Sequence, residues 1–158
     1  MRLLHTESSC GWGGQELRVI SESRGMMDRG HEVLIAAPGE APIIGEAKRL
    51  GIPVRPLPIS RKRPAGWWAM RSFIGELRPD LVVTHSSTDS WLASLAMLGQ
   101  AHAPPLIRMR HVSAPIPANA PTRWLYTRSV AHVVTTGEAL RLQVMEQTGL
   151  AADRVTSV

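Results

Sequence analysis

Three short segments gather residue types able to bind or polarise a polar ligand. The first, Ser8, Ser9, Cys10, Gly11, Trp12, Gly13, Gly14, is glycine-rich and runs straight into a helix-type segment. Its glycines allow positive φ and close backbone approach, and the free N–H groups at the start of the helix favour a phosphate, carboxylate or sugar in the loop. The bland alternative is a flexible turn. The second segment, Thr84, His85, Ser86, Ser87, Thr88, Asp89, offers His85 as a hydrogen-bonding group, or else a capping element in which Ser86 and Ser87 simply start a helix. The third, Arg108, Met109, Arg110, His111, sets two guanidinium groups and an imidazole beside one another. Imidazole donates to a hydroxyl or exchanges a proton near neutral pH, and guanidinium clamps phosphate bidentately. A solvated surface run is the competing reading there.

Other chemistries do not assemble. A dinucleotide fingerprint would put its third glycine at Glu16, and the second strand ends in Ala36, Ala37, Pro38 without an acidic residue for a ribose, so a nicotinamide or flavin cofactor is not expected. The chain has no Gly-Lys-Ser or Gly-Lys-Thr, no G-x-S-x-G and no H-E-x-x-H, and its six histidines lack metal-ligand spacing; no metal is expected. Cys10, the single cysteine, reads as structural rather than nucleophilic, and one cysteine points to a reducing, cytosolic compartment.

A cationic cluster, Arg61, Lys62, Arg63, precedes Pro64 and the indoles Trp67 and Trp68, of which Trp68 falls off the apolar stripe. That mixture suits peripheral contact with an anionic membrane or a phosphorylated glycolipid. The alternative is a solvated loop followed by core tryptophans. Nucleic acid is a weaker partner, because the basic residues are not spread along a stacking platform.

These residues need a scaffold. The length of 158 residues and 44% hydrophobic content fit one domain with a sizeable core, and a formal charge of +5 tilts it toward anionic partners. Leu3 and Leu4 are interrupted too soon for a signal peptide, and the apolar window Trp91 to Leu98 is far short of a bilayer span. Short apolar runs predict strands at Arg2 to Thr6, Glu32 to Ala37, Val54 to Leu57, Leu81 to Thr84, Leu106 to Met109, Val133 to Thr135 and Val155 to Val158. Helices are expected at Gln15 to Arg29, around Trp67 to Leu77 with Pro79 closing it, at Thr88 to Leu98, about Thr122 to Ser129, and Glu138 to Thr148. Alternation of this kind means a parallel sheet with crossover helices, in the order 3-2-1-4-5-6-7, with ligands gathered beyond the carboxyl ends of the strands. The strand at Arg154 to Val158 closes without a following helix, which reads as one lobe of something larger.

In this order the motifs resemble the N-terminal lobe of GT-B glycosyltransferases of family 4. Met1 to His5 followed by Gly13, Gly14, Gln15, Glu16 resembles that family's opening strand and Gly-Gly-x-Glu loop; Arg29, Gly30, His31, Glu32, Val33 is similar to its approach to strand two. Arg78 to His85 resembles its P-D-[IVL]-[IV]-x-x-H segment, Arg110 and His111 its strand-five ending, and Val133 to Thr136 the stretch before a later helix. The resemblance implies an α/β, Rossmann-like three-layer sandwich whose mainly parallel sheet has about seven strands. It implies further that residues 1–158 form the acceptor-side domain of a retaining, two-lobe enzyme, with the donor-binding lobe absent.

The implied partners are a nucleotide-sugar donor and a glycan or lipid-linked acceptor of cell-envelope polysaccharide or lipopolysaccharide synthesis, met in the cytoplasm or at the inner membrane face. His111 would act near the transferred sugar, and Gly13, Gly14, Glu16, His85, Ser86 and Arg110 would contact donor or acceptor. Arg61, Lys62, Arg63 and Trp68 are the expected membrane or acceptor contacts. Lacking the E-x7-E lobe, the chain alone should transfer nothing. A non-catalytic Rossmann-like module binding sugar or lipid is the competing class.

Overall fold

The computed structural model describes every residue, Met1–Val158. Seven strands alternate with helices: β1 (Arg2–Thr6), α1 (Gly14–Asp28), β2 (Glu32–Ala37), α2 (Pro42–Arg49), β3 (Val54–Pro56), α3 (Pro64–Leu77), β4 (Leu81–Thr84), α4 (Ser87–Met97), β5 (Leu106–Arg110), α5 (Ala120–Trp124), β6 (His132–Thr135), α6 (Glu138–Thr148) and β7 (Val155–Ser157). A π-helical turn at Leu125–Ser129 extends α5, and a 3-10 turn at Ala152–Arg154 leads into β7. All strand pairs are parallel, in the order β3-β2-β1-β4-β5-β6-β7. This is the α/β, Rossmann-like sheet expected from the sequence, with strand ends within one residue of expectation.

Strand alternation sends side chains to two cores. Leu4, Ala36, Val82, Leu106, Val133 and Val155 face α3, α4, the α5 region and α6 in the larger one. Ile35 and Ala37 face α1 and α2, whose Val19, Ile20, Ile43, Ile44 and Ala47 complete the smaller one. The helices of this second face lie over β2 and β3. Beside them Leu3, Val83, Ile107, Met109 and Val134 border a shallow apolar hollow of about 330 Å³. Met26 of α1 also lines it and stays 38% exposed, although it follows Val19 by seven residues on the same helix face.

Helix α2 was not anticipated. Eight residues that begin with Pro42 and hold an interior Gly45, preceded by Pro38 and Gly39, read as a loop by composition. Pro42 instead occupies the first turn, where its missing N–H costs nothing, and Ile43, Ile44 and Ala47 pack inward. At the other helices the start signals act as expected: α3 opens with Pro64, and α4 with a capping box between Ser86 and Asp89.

Candidate functional site

The carboxyl ends of β1, β4 and β5 lie side by side, because Thr6 pairs with Thr84 and Thr84 with Arg108. Residues one to three places further along each strand therefore meet above the sheet edge. His85 is buried, and its ring links two others: its Nε2 lies 2.9 Å from His5 Nδ1 and its Nδ1 lies 3.1 Å from His111 Nε2. The three rings are stacked, with centroids 5.2 and 5.3 Å apart. They form a row that runs from the core face of β1 to a half-buried His111 at the crevice.

Burial holds all three imidazoles neutral. It lowers His5 to about 4; it lowers His85 well below the usual histidine range, with the neighbouring histidines adding to the effect; and it lowers His111 to about 4, with Arg18 adding to the effect. Neutral rings carry one N–H each, so the row has two consistent arrangements. In one, every Nε2 is protonated and His5 Nε2–H is left buried without an acceptor. In the other, every Nδ1 is protonated, His5 Nε2 is only an unused acceptor, and His111 presents an Nδ1–H. An orphan donor is the costlier defect. The row therefore favours His111 as a hydrogen-bond donor toward the crevice.

Beneath the histidines lies a carboxylate pair that sequence reading passed over. Asp89 is fully buried and accepts hydrogen bonds from Thr6 Oγ1 (2.7 Å), the His85 amide (3.0 Å) and the Ser86 amide (2.9 Å). Burial, then the charge of Glu7, pushes it up to about 7 against the hydrogen bonds. Glu7 accepts from Ser86 Oγ (2.6 Å), the Ser9 amide (2.8 Å) and Gln15 Nε2, and burial raises its carboxyl as well. Ser86 thus caps α4 and ties the β1 loop to the β4 loop, with Ser8 Oγ 2.9 Å from its hydroxyl. The available signal for Glu7 was its place one residue past a central strand; for Asp89 it was the capping-box spacing from Ser86.

Glu16 turns back on its own loop, accepting the Gly13 amide at 2.8 Å. Neither Gly13 nor Gly14 has positive φ, so left-handed freedom is not what the loop uses. A Cβ at Gly14 would meet nothing within 4 Å, and one at Gly13 would meet only Glu16 Oε2 at 3.7 Å. The space beside them is open at the N-terminus of α1. Gln15, just beyond, joins His85, Ser86 and His111 in lining a cavity of about 610 Å³.

The strand-five arginines take their place in the same cavity. Arg108 and Arg110 are 5% and 8% exposed. Arg108 lies over the Tyr126 ring, 4.7 Å from its centroid, while Arg110 donates to Tyr126 Oη (3.2 Å) and to the Ala114 carbonyl. Lys62 reaches the same cavity and stands 5.7 Å from the centroid of the Trp91 ring. It is thereby separated in role from Arg61 and Arg63, which are exposed beside a Trp68 that is 64% exposed. Cys10 is exposed at the tip of its loop.

For a metal, the one grouping is His5, Glu22 and His85, whose ligand atoms lie within 4.8 Å of one another. Both nitrogens of His85 are engaged in the histidine row, which leaves His5 Nε2 as its one uncommitted buried donor atom.

A family model described as Glycosyltransferase Family 4 matches residues 12–158. No curated protein sequence matches the chain. Among solved structures, a glycosyltransferase from Rickettsia africae superposes with a TM-score of 0.82 at 18% identity, over 99% of this chain and 42% of that one. Anabaena Alr3699/HepE, solved with UDP-glucose, gives 0.74 at 17% identity over 100% and 43%. The lipopolysaccharide outer core galactosyltransferase WaaB gives 0.73 at 14% identity over 99% and 44%. The chain thus spans less than half the length of each of these structures, and at such identities the likeness is one of fold.

Proposed function

Since the chain belongs to glycosyltransferase family 4, we infer that it is the acceptor-side half of a retaining transferase, which moves a sugar from a nucleotide-sugar donor to a glycan or lipid-linked acceptor. The observation that carries this reading is His111: a neutral imidazole at the mouth of a large cavity, aligned through His85 and His5 so that Nδ1–H faces outward. A neutral donor hydrogen-bonds a sugar hydroxyl without placing a second positive charge beside an oxocarbenium-like centre. His85 fixes the ring and its tautomer, while Ser86, Glu7 and Asp89 fix His85 and the adjoining loops.

On this reading the donor's phosphates approach the α1 N-terminus, where Gly14 leaves room and backbone N–H groups point outward. UDP-glucose in the Anabaena structure supports a nucleotide sugar as the donor class. The acceptor enters the cavity bordered by His111, Arg110 and Trp91. No step needs a resident metal or cofactor. The remaining charge neutralisation of the diphosphate falls to a second lobe, so residues 1–158 alone bind donor weakly and transfer nothing.

No helix is long and apolar enough to cross a membrane. Arg61, Arg63 and Trp68, with the exposed Leu95 of α4 and Leu98 just past its end, suit peripheral docking on an anionic bilayer at the cytoplasmic face, where a lipid-linked envelope acceptor would be met.

The test is turnover. In the two-lobe protein, His111→Ala should lower kcat by about a hundredfold, the range for a lost preorganised donor, with its unfolding midpoint close to that of the parent. Sugar transfer by residues 1–158 alone, or an unchanged kcat in the variant, would overturn the reading.

A further inference from the structure

We propose that Arg108, Arg110 and Lys62 form a subsite for a phosphate group carried by the acceptor, seated beside the Trp91 ring. The inference deepens the acceptor reading of this cavity and rests on it for the word acceptor, while the phosphate site itself is tested independently.

Arg108 is buried, yet Nε and Nη1 have no hydrogen-bond partner, and Nε of Arg110 is likewise unpartnered. Guanidinium cannot shed its charge to escape such a setting, and buried charges are normally paired. Neither arginine makes an ion pair in the chain: the six salt bridges all involve other residues. What they do touch is the Tyr126 ring and hydroxyl and a backbone carbonyl, which orient the two side chains without neutralising them. Both line the cavity, Lys62 lines it too, and no carboxylate does. Three positive charges therefore converge on one concave space with nothing of opposite sign in its wall.

The count selects the ligand. A single carboxylate would leave two of the three charges unbalanced, whereas a phosphate, with up to two negative charges and several acceptor oxygens, matches two forked guanidinium groups and one point-like ammonium. Trp91, held against Trp124 with ring centroids 6.1 Å apart, gives the same ligand an aromatic wall on which a sugar face or a lipid stem rests. The donor diphosphate is the less fitting occupant, because the open space beside Gly13 and Gly14 adjoins the α1 N-terminus, and neither glycine lines this cavity. A sugar phosphate and a lipid phosphate share the recognised chemistry.

Inorganic phosphate is the first probe, titrated into the chain labelled uniformly with nitrogen-15, so that arginine side chains and glycine amides are read together. The expected result is that the Nε–H resonances of Arg108 and Arg110 move together with saturation, while the Gly13 and Gly14 amides stay still. Lys62→Gln, a change at an exposed rim residue, should weaken that affinity about tenfold. Glucose 1-phosphate and phosphatidylcholine vesicles carrying phosphatidic acid then separate a soluble from a lipid-linked source, and saturable, Lys62-dependent binding of either supports the proposal. Stationary arginine resonances, or shifts confined to Gly13 and Gly14, overturn it. A phosphate site that saturates while the two-lobe protein transfers no sugar would refute the transferase reading and leave the phosphate site standing.

Discussion

Replacing His5 by leucine tests the histidine row at its buried end. The wild-type ring is pulled from an ordinary value of 6.5 to about 4 by burial. Above about pH 6.5 it is neutral in both the folded and the unfolded chain, so its contribution to stability is intact. Below that, the unfolded chain takes up a proton that the folded chain refuses, and stability is lost as the pH falls toward about 4. At 1.36 kcal/mol per unit, the whole displacement amounts to about 3 kcal/mol, of which about 2 kcal/mol is spent between about pH 7 and pH 5. His5→Leu removes that loss, and at neutral pH it costs about 1–3 kcal/mol because His85 Nε2 loses its partner.

The decisive quantity is the difference between the two proteins at each pH. Asp89, raised from 3.8 to about 7, works with the opposite sign, its contribution being full at low pH and lost as the pH rises toward 7. It is present in both proteins and largely cancels in the difference. The nearness of His5 also helps lower His85, so its loss lets His85 take up a proton more readily and adds to the effect in the same direction. Urea unfolding followed by tryptophan fluorescence gives the free energies. The deficit of His5→Leu should shrink by about 2 kcal/mol on going from about pH 7 to pH 5, roughly a 1 M change in the separation of midpoints. A difference that does not change with pH would refute the claim that His5 is buried neutral.

Other consequences are as direct. Gly66→Ala in α3 would put a Cβ 2.7 Å from the Pro58 carbonyl oxygen, and thermal unfolding should show a loss of about 1–3 kcal/mol despite the better helix propensity of alanine. Asp89→Asn keeps at most one good acceptor oxygen for three donors; it should cost about 1–3 kcal/mol near pH 5 and less near pH 8, where the wild-type carboxyl pays for ionising in the core. Arg61→Glu with Arg63→Glu should reduce sedimentation with anionic vesicles, since each cation near such a surface contributes about 1 kcal/mol; equal sedimentation of parent and variant would remove the membrane role.

The sheet was legible because its strands are short apolar runs bounded by glycine, proline and polar residues, and their order follows from crossover handedness. The three loops at its carboxyl edge were legible for the same reason. Sequence could not show which side chains within those loops touch. His5 reads as an ordinary strand residue; its contact with His85 exists only because β1 and β4 pair in register, His5 opposite Val83, and that register is a long-range fact. Glu7 reads as a loop acid until the Ser86 hydroxyl and Gln15 close over it. Strand alternation does put Arg108 and Arg110 on one face, yet their burial depends on Tyr126, which arrives from the turn after α5. Helix α2 escaped because its glycine and prolines outweigh three apolar residues in any local reading.

The crevice meets the cost of burying polar groups in two ways. Its histidines are kept unprotonated, and its carboxyls are raised toward the protonated form and wrapped in hydrogen bonds, so five titratable groups escape most of the cost of carrying charge away from water. Arg108 and Arg110 cannot take that route, because a guanidinium stays ionised even where burial lowers its proton affinity, as it does for Arg108. Their burial therefore remains a cost in the free chain that Tyr126 and, for Arg108, the nearby Asp89 offset only in part. An anion that enters the cavity and pairs with them relieves this cost and adds its own binding energy to the folded state alone. Stability and recognition are thus coupled at one place: the phosphate that would identify the acceptor should also raise the unfolding midpoint, and the rise should follow the logarithm of phosphate concentration once the site is occupied.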